Sequence, residues 1–125
     1  MVAINTGYAN AQTVPEWENV ASGTTQVSNI SSVQYTVGYS SIGYDHFRSE
    51  IVVSWHDGDD RTQNIYDGIY DNPPAKVWNT RDNLCVSMET CARYEDNCKT
   101  HIIAYRYDRA EKLFSELNDD AKMCR

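Results

Sequence analysis

The sequence predicts a small α+β domain, in which an antiparallel β-meander of four to five strands packs against a C-terminal amphipathic helix. Three patterns indicate this class: apolar residues alternate over residues 33–40, they alternate again over residues 47–56, and they recur at helical spacing after residue 108. The chain of 125 residues, with 41% hydrophobic residues, has the size and composition of one globular domain.

The first two strands are predicted from a period of two, which is typical of a half-buried strand. A turn is expected at residues 43–45, between the two alternating segments. The side chains expected to face the core are Val33, Tyr35, Val37 and Tyr39 in the first strand and Phe47, Ser49, Ile51, Val53 and Trp55 in the second.

A third strand is expected over residues 62–70, joined to the second by a tight hairpin. A type II′ turn centred on residues 58–59 suits Gly58, because the first central position of that turn needs a positive φ. This register pairs His56 with Arg61 and Ile51 with Tyr66, and it leaves His56 without a special partner. Proline at 73 and 74 is expected to end the strand.

The remaining elements are predicted as a helix, a strand and a second helix. Within residues 81–98, apolar residues recur at helical spacing, which favours a short helix. Residues 100–107 alternate again as a strand, with Ile103, Tyr105 and Tyr107 on one face. Asp108 is a suitable cap for a C-terminal helix, with Glu111 three residues later. The apolar stripe of this helix comprises Ala110, Leu113, Phe114, Leu117, Ala121 and Cys124.

Residues 1–32 are rich in Asn, Thr, Ser and Gln, and they are predicted to form an irregular polar N-terminal arm with a turn or strand near residues 25–31. Residues 33–125 then form the single α+β domain. An arm of this composition is too polar to fold alone, which raises the alternative that a neighbouring chain holds it in a homo-oligomer or larger assembly.

The net charge of −7 lies entirely in the first three-fifths of the chain. Residues 1–75 hold nine acids and two bases, whereas residues 76–125 hold nine of each. Nucleic-acid binding depends on cations that displace condensed counterions, so we expect no direct binding to nucleic acid. A protein partner with a basic surface is expected instead.

Four cysteines, at positions 85, 91, 98 and 124, lack the C-x-x-C spacing of zinc sites. The start of the chain has neither the basic nor the apolar region of a signal peptide, and no apolar run is long enough to cross a bilayer. These observations favour reduced thiols, a cytoplasmic location (the host cytoplasm for a viral protein) and no membrane association. Disulfides or a metal site are the alternatives.

No enzymatic activity, cofactor or metal site is predicted. His56 and the acids around Gly58 lack the later glutamate of a calcium loop, and carboxylates at an exposed turn lack the burial that separates catalytic pKa values. No G-x-S-x-G sequence, phosphate-binding loop or other catalytic motif occurs in the chain.

Tyrosines beside acids are typical of protein-binding surfaces, because tyrosine adds contact area at a small entropic cost. We therefore predict a non-enzymatic acidic protein-binding module, with a phage- or mobile-element-encoded accessory protein or inhibitor as one possible identity. The alternatives are a structural subunit of a virion-like particle that assembles through its arm, and a small-ligand-binding oligomer. The predicted protein-binding residues are Tyr44, Asp45, Asp57, Asp59, Asp60, Tyr66, Asp67, Tyr70 and Asp71.

Overall fold

The structure is a computed structural model that describes residues 16–44, 46–92, 97–117 and 120–124. Seven strands and one four-residue helix lie within these residues. In chain order they are β1 (Asn19–Val27), β2 (Ser31–Gly43), β3 (His46–Asp57), β4 (Asp59–Thr80), β5 (Asn83–Cys91), β6 (Cys98–Asp108), β7 (Leu113–Glu116) and α1 (Asp120–Met123).

Each strand pairs antiparallel with the strand that follows it in the chain, so the spatial order of the strands is their chain order. The predicted antiparallel meander is therefore present, but it has seven strands instead of four or five. Strand β1 occupies residues 19–27 of the predicted arm and pairs with β2 along its whole length.

The long strand β4 belongs to two layers, because it changes partner halfway along. Residues 59–70 pair with β3, whereas residue 71 and residues 76–80 pair with β5. The register break falls at the two prolines. Proline cannot donate to a ladder, which explains the interruption in pairing. The expectation that the strand ends at the prolines is wrong, because β4 continues to Thr80.

The two layers bury one shared core between them. The first layer contributes alternate residues of β1 to β3, and the second contributes alternate residues of β5 and β6. The fully buried side chains at its centre include Val27, Val33, Val37, Ile51, Val53, Tyr70, Leu84 and Val86. The predicted inward faces of β2 and β3 are confirmed. Ile103, Tyr105 and Tyr107 of β6 share one face as predicted, and this face packs into the core.

The predicted α+β class is wrong, because the described part of the chain is almost entirely β. The helix expected within residues 81–98 is strand β5, whose residues 83–86 are all buried. One face of β5 packs into the shared core with Leu84 and Val86, and the other packs outward with Cys85. A strand buried on both faces has a nearly continuous apolar run, which periodicity cannot separate from a helix.

The long C-terminal helix is also absent from the described residues. The Asp108 carboxylate accepts hydrogen bonds from the backbone N–H groups of Ala110 and Glu111, as a helix cap would, but it closes only a turn. Lys112 has a positive φ of 56°, which ends the turn, and β7 follows directly. The sequence could not distinguish the turn from a helix start here, because Asp side chains stabilise both.

The described residues after β7, here called the C-terminal segment (residues 117 and 120–124), pack on the outer face of the second layer. A disulfide joins Cys85 of β5 to Cys124, and Leu117 and Met123 pack with them against Trp78. The backbone N–H of Leu117 donates to the carbonyl of Ala104. Within the described residues, no such segment covers the outer face of the first layer, which leaves that face open.

None of the described residues belongs to a helix with the length and apolar character needed to cross a membrane.

Candidate protein-binding face

The outer face of the first layer, here called the open face, is polar and acidic. It is formed by the outward side chains of β1 to β3 and of residues 59–70 of β4, which alternate with the core residues. Three acids and one base lie on it, giving a formal charge of 1 − 3 = −2. These are Glu50, Asp60, Asp67 and Arg48. The other outward side chains are mainly Ser, Thr, Gln and Asn.

Two of the four charged groups on the open face are already paired. The Arg48 guanidinium lies 3.4 Å from the Asp67 carboxylate. The Asn64 side-chain amide donates a 2.5 Å hydrogen bond to Glu50, and this neutral donor does not offset the formal charge of the carboxylate. Glu50 and Asp60 are therefore the carboxylates on this face that a basic partner can approach without first breaking an arginine pair.

Trp17 lies at one end of the open face. Its indole ring lies directly over Gly38, where a larger residue would collide with the ring, and the Arg48 guanidinium lies 5.5 Å from the ring centroid. An arginine over a tryptophan face is a favourable cation–π contact. The result is an amphipathic edge to the face, in which an aromatic ring and a cation lie beside the acidic area.

The β3–β4 hairpin lies at the other end, and its register differs from the predicted one. Asp57 pairs with Asp59 across Gly58, which has a positive φ of 78°, so His56 faces Asp60 instead of Arg61. The His56 Nδ1 and Asp60 Oδ1 atoms are 3.0 Å apart, although both side chains are largely exposed. A bulge between Ile51 and Val52 restores the predicted pairing of Ile51 with Tyr66.

A shallow groove of about 460 Å³ lies beside this hairpin, on the open face. The residues that line it come from β2, β3 and β4. They are Ser32, Gln34, Ser54, Trp55, His56, Asp60, Arg61 and Thr62. Hydroxyl, amide and charged groups at one surface can form hydrogen bonds with the polar rim of a protein partner.

Asp57 is tied into the protein and does not stand free at the hairpin tip. The Tyr107 hydroxyl of the second layer donates a 2.5 Å hydrogen bond to the Asp57 carboxylate and accepts one of 3.1 Å from the Trp55 indole. The hydrogen bond from Tyr107 holds the pKa of Asp57 below its usual value, with smaller contributions from Lys112 and Arg61. Burial, reinforced by the bond to Asp57, raises the pKa of Tyr107.

Tyr70 and Asp71 are buried and serve the fold. The Tyr70 hydroxyl donates to Ser49 at 2.9 Å and accepts from the backbone N–H of Ala75 at 2.9 Å, where β4 changes partner. The Asp71 carboxylate lies 2.6 Å from His46 Nδ1 and accepts a 2.7 Å hydrogen bond from the backbone N–H of Cys91. Neither side chain reaches a surface that a partner could contact.

The predicted binding residues are divided between the two ends of β3. Asp57, Asp59 and Asp60 lie at its end, and Tyr44 lies before its start. The twelve residues of β3 span about 36 Å at a strand rise of about 3.3 Å per residue. The set therefore does not form one compact site.

The other members of the predicted set have different environments. Tyr44 is 82% exposed, Asp59 is exposed at the hairpin tip, and Asp67 lies on the open face. The Tyr66 ring lies on the inner side of β4 over Gly68, and burial raises its pKa. Asp45 falls outside the described residues.

The expectation of reduced cysteines is wrong, because all four cysteines are joined in two disulfides. Cys85 pairs with Cys124, and Cys91 pairs with Cys98 across the β5–β6 hairpin. The two sulfurs of the second bond lie near the Glu89 carboxylate, in a cluster with the spacing of metal ligands. Metal-binding cysteines act as thiolates, so the disulfide removes two of the three potential ligands.

Sequence reasoning missed three residues of the open face: Trp17, Arg48 and Glu50. The alternation of β3 does place Arg48 and Glu50 opposite the core residues, so a signal for them existed in the sequence. Trp17 had no such signal, because its position depends on Gly38 of another strand.

Protein-family models, curated protein sequences and solved structures were compared with this chain, and none of them matches it. The prediction of a viral or mobile-element inhibitor has no support from these comparisons.

Proposed function

We propose that this protein is a non-catalytic binding module that recognises a basic protein surface through the open face. The observation that carries the proposal is the difference between the two layers. The second layer is covered on its outer side by the C-terminal segment, whereas no described residues cover the polar face of the first layer, which has an excess of negative charge. Complementary charge speeds association and selects a partner of the opposite sign.

The size of the open face also supports a protein partner. Four strands at about 4.8 Å spacing and about nine residues in length give a surface of roughly 20 Å by 30 Å. This area is somewhat smaller than the roughly 800 Å² that each partner buries in a standard interface. We therefore expect a partner that also contacts the amphipathic edge at Trp17 or the hairpin groove.

We propose an oxidising compartment for this protein, in place of the cytoplasmic location expected from the sequence. That expectation depended on reduced cysteines, and both disulfides argue against it, because reducing systems keep cytosolic thiols reduced. The test is to purify the protein from its source with an alkylating agent present. Four blocked thiols would support the cytoplasm, whereas four protected cysteines would support the oxidising compartment.

The binding proposal is tested by two variants that carry the same net charge. Glu50→Gln with Asp60→Asn removes two charges from the open face, and Asp82→Asn with Glu111→Gln removes two exposed charges elsewhere. Proteins captured from a lysate of the source organism are then compared by quantitative mass spectrometry. The proposal predicts basic proteins that are lost with the first variant and kept with the second. Equal capture by both variants would contradict it.

A further inference from the structure

Among the described strands, β1 is an edge strand that lacks the usual protection against pairing. It is nine residues long and follows β2 with no register shift. It contains no proline and no charged residue, in a chain of which 23% is charged. Natural edge strands normally carry a charge, a proline or a bulge, because their free N–H and C=O groups otherwise accept another strand.

The opposite edge of the fold shows the protection that β1 lacks. Strand β7 has only four residues. The Gln63 side-chain amide donates to the Phe114 carbonyl at 2.9 Å and accepts from the Phe114 N–H at 2.8 Å, so a side chain occupies that edge as a strand would. Among the described residues, the nearest backbone bond at the β1 edge is from Ser28 to Arg81, beyond the end of the strand.

We propose that β1 pairs with β1 of a second copy of this chain, antiparallel, to form a symmetric dimer with a continuous sheet. Side chains alternate between the two faces of a strand, so two paired residues lie on the same face of the joined sheet. The core-facing sides of both copies therefore lie on one side of that sheet only when the numbers of two paired residues add to an even value. The pairing centred on Ser22 satisfies this rule. It places Val20, which is 60% exposed, opposite Thr24 of the second copy, and leaves Ser28 bonded to Arg81.

The charge distribution favours a second copy over a foreign strand. Because β1 is uncharged, it cannot select a basic or an acidic strand by electrostatic attraction. Two copies of β1 can pair without placing like charges opposite each other. Glu18 precedes β1, but its carboxylate reaches towards β2, where it accepts a hydrogen bond from the backbone N–H of Ser41. The nearest acid within the strands of the open face, Glu50, lies two strands from the edge, at about 10 Å. This distance is close to the Debye length at physiological salt, so repulsion between the two acidic chains is screened there.

The dimer is tested by sedimentation velocity and light scattering over roughly 1 to 500 μM chain, since dimerisation depends on concentration. The wild-type protein is expected to reach twice the 14.3 kDa chain mass. The protein concentration needed for dimerisation is expected to fall as the salt concentration rises. This salt dependence is opposite in sign to that expected for binding a basic partner, so the two proposals fail separately. A wild-type protein that stays monomeric at the highest concentration would overturn the dimer.

Complementary charge variants at the two-fold axis test the register. Ser22→Lys and Ser22→Asp each place like charges against each other in the dimer, so each alone is expected to be monomeric, and their mixture is expected to dimerise. Ser22 is exposed, and far-UV circular dichroism with thermal unfolding confirms that each variant folds. Thr62→Lys, on the open face but in β4, is the matched control and is expected to dimerise like wild type. A dimer that survives in Ser22→Lys alone would contradict the pairing.

Discussion

The Tyr107 hydroxyl donates a 2.5 Å hydrogen bond to the Asp57 carboxylate, and this bond joins the tip of the β3–β4 hairpin to β6 in the other layer. The same hydroxyl accepts the indole N–H of Trp55, which is buried in the shared core. One tyrosine therefore satisfies a core donor and a surface carboxylate at once. Asp57, which the sequence suggested as a binding residue, therefore has a structural contact that holds the hairpin tip against β6.

Replacing Tyr107 with Phe is expected to destabilise the protein. The change leaves the buried Trp55 N–H without its acceptor, and an unsatisfied buried donor costs about 1–3 kcal/mol. The measurement is the free energy of unfolding in urea. Tyr39→Phe is the control, because Tyr39 packs against the core and its hydroxyl makes no hydrogen bond within the described residues. An equal loss of stability in both variants would refute the role of the network.

The Asp57–Tyr107 bond also predicts a loss of stability in acid. Because the folded pKa of Asp57 lies below its ordinary value of 3.8, the stabilisation is complete above about pH 4 and is lost as the pH falls through the folded pKa. Unfolding midpoints measured between neutral pH and pH 2 should show this decrease. Tyr107→Phe removes the largest cause of the lowered pKa and should show a smaller decrease. An unchanged slope would contradict the assignment.

In alkali, three tyrosines are expected to destabilise the fold. Burial raises the folded pKa of Tyr66, Tyr70 and Tyr107 above the ordinary value of 10.0. A raised folded pKa means that the stabilisation is present below pH 10 and is lost as the pH rises through the folded value. The tyrosinate absorbance should therefore titrate in two phases, with the late phase coinciding with unfolding. If all tyrosines titrate in a single phase near pH 10, the burial of these three tyrosines would be contradicted.

The two disulfides are expected to contribute unequally to stability. Cys85 and Cys124 are 39 residues apart and Cys91 and Cys98 are 7 apart, and a longer closed loop restricts the unfolded chain more. Loop-closure entropy gives about 4 kcal/mol for the first and about 2 kcal/mol for the second. Urea unfolding of the two double-serine variants measures both values. The reverse order would show that the C-terminal segment does not depend on its disulfide.

Gln63 is expected to hold β7 in place. Gln63→Leu removes both bonds to Phe114, whereas Gln63→Glu keeps the acceptor and loses the donor. Amide hydrogen exchange should therefore show faster exchange at residues 113–116 in both variants, and more so in the leucine variant. Gln34→Leu, on the open face, is the control and should leave these amides unchanged.

The sequence predicted the elements whose two faces have different environments. Strands β2 and β3 bury one side and expose the other, so Val33, Val37 and Ile51 alternate visibly with polar residues. The same alternation in β6 located Tyr105 and Tyr107. The meander followed from these strands and the short connections between them.

The sequence did not predict the elements that are buried on both faces, nor those whose conformation depends on contacts with residues distant in the chain. Strand β5 is covered on both sides, so its apolar residues looked helical. The C-terminal segment depends on Cys85, a distant partner, and cysteine pairing cannot be deduced from spacing alone. The pairing of His56 with Asp60 follows from a one-residue difference in turn length that hydrophobic pairing did not reveal.

The predicted binding residues lie in different environments, for a related reason. Charge and tyrosine content indicated an acidic binding surface, but the one-dimensional pattern did not show that Asp71 and Tyr70 are buried. Which outer face the described residues leave open depends on the C-terminal segment, which packs on the second layer through a disulfide that the sequence pattern does not predict.

The most direct test of the open face is the affinity for one captured basic partner at about 50 mM and about 300 mM salt. Binding by wild type and by Asp82→Asn with Glu111→Gln should be alike, and at high salt it should weaken by about tenfold or more. Glu50→Gln with Asp60→Asn should bind roughly three- to tenfold more weakly at low salt, as expected for two exposed charges. Equal affinities for the two variants, or affinities that do not change with salt, would contradict binding through the open face.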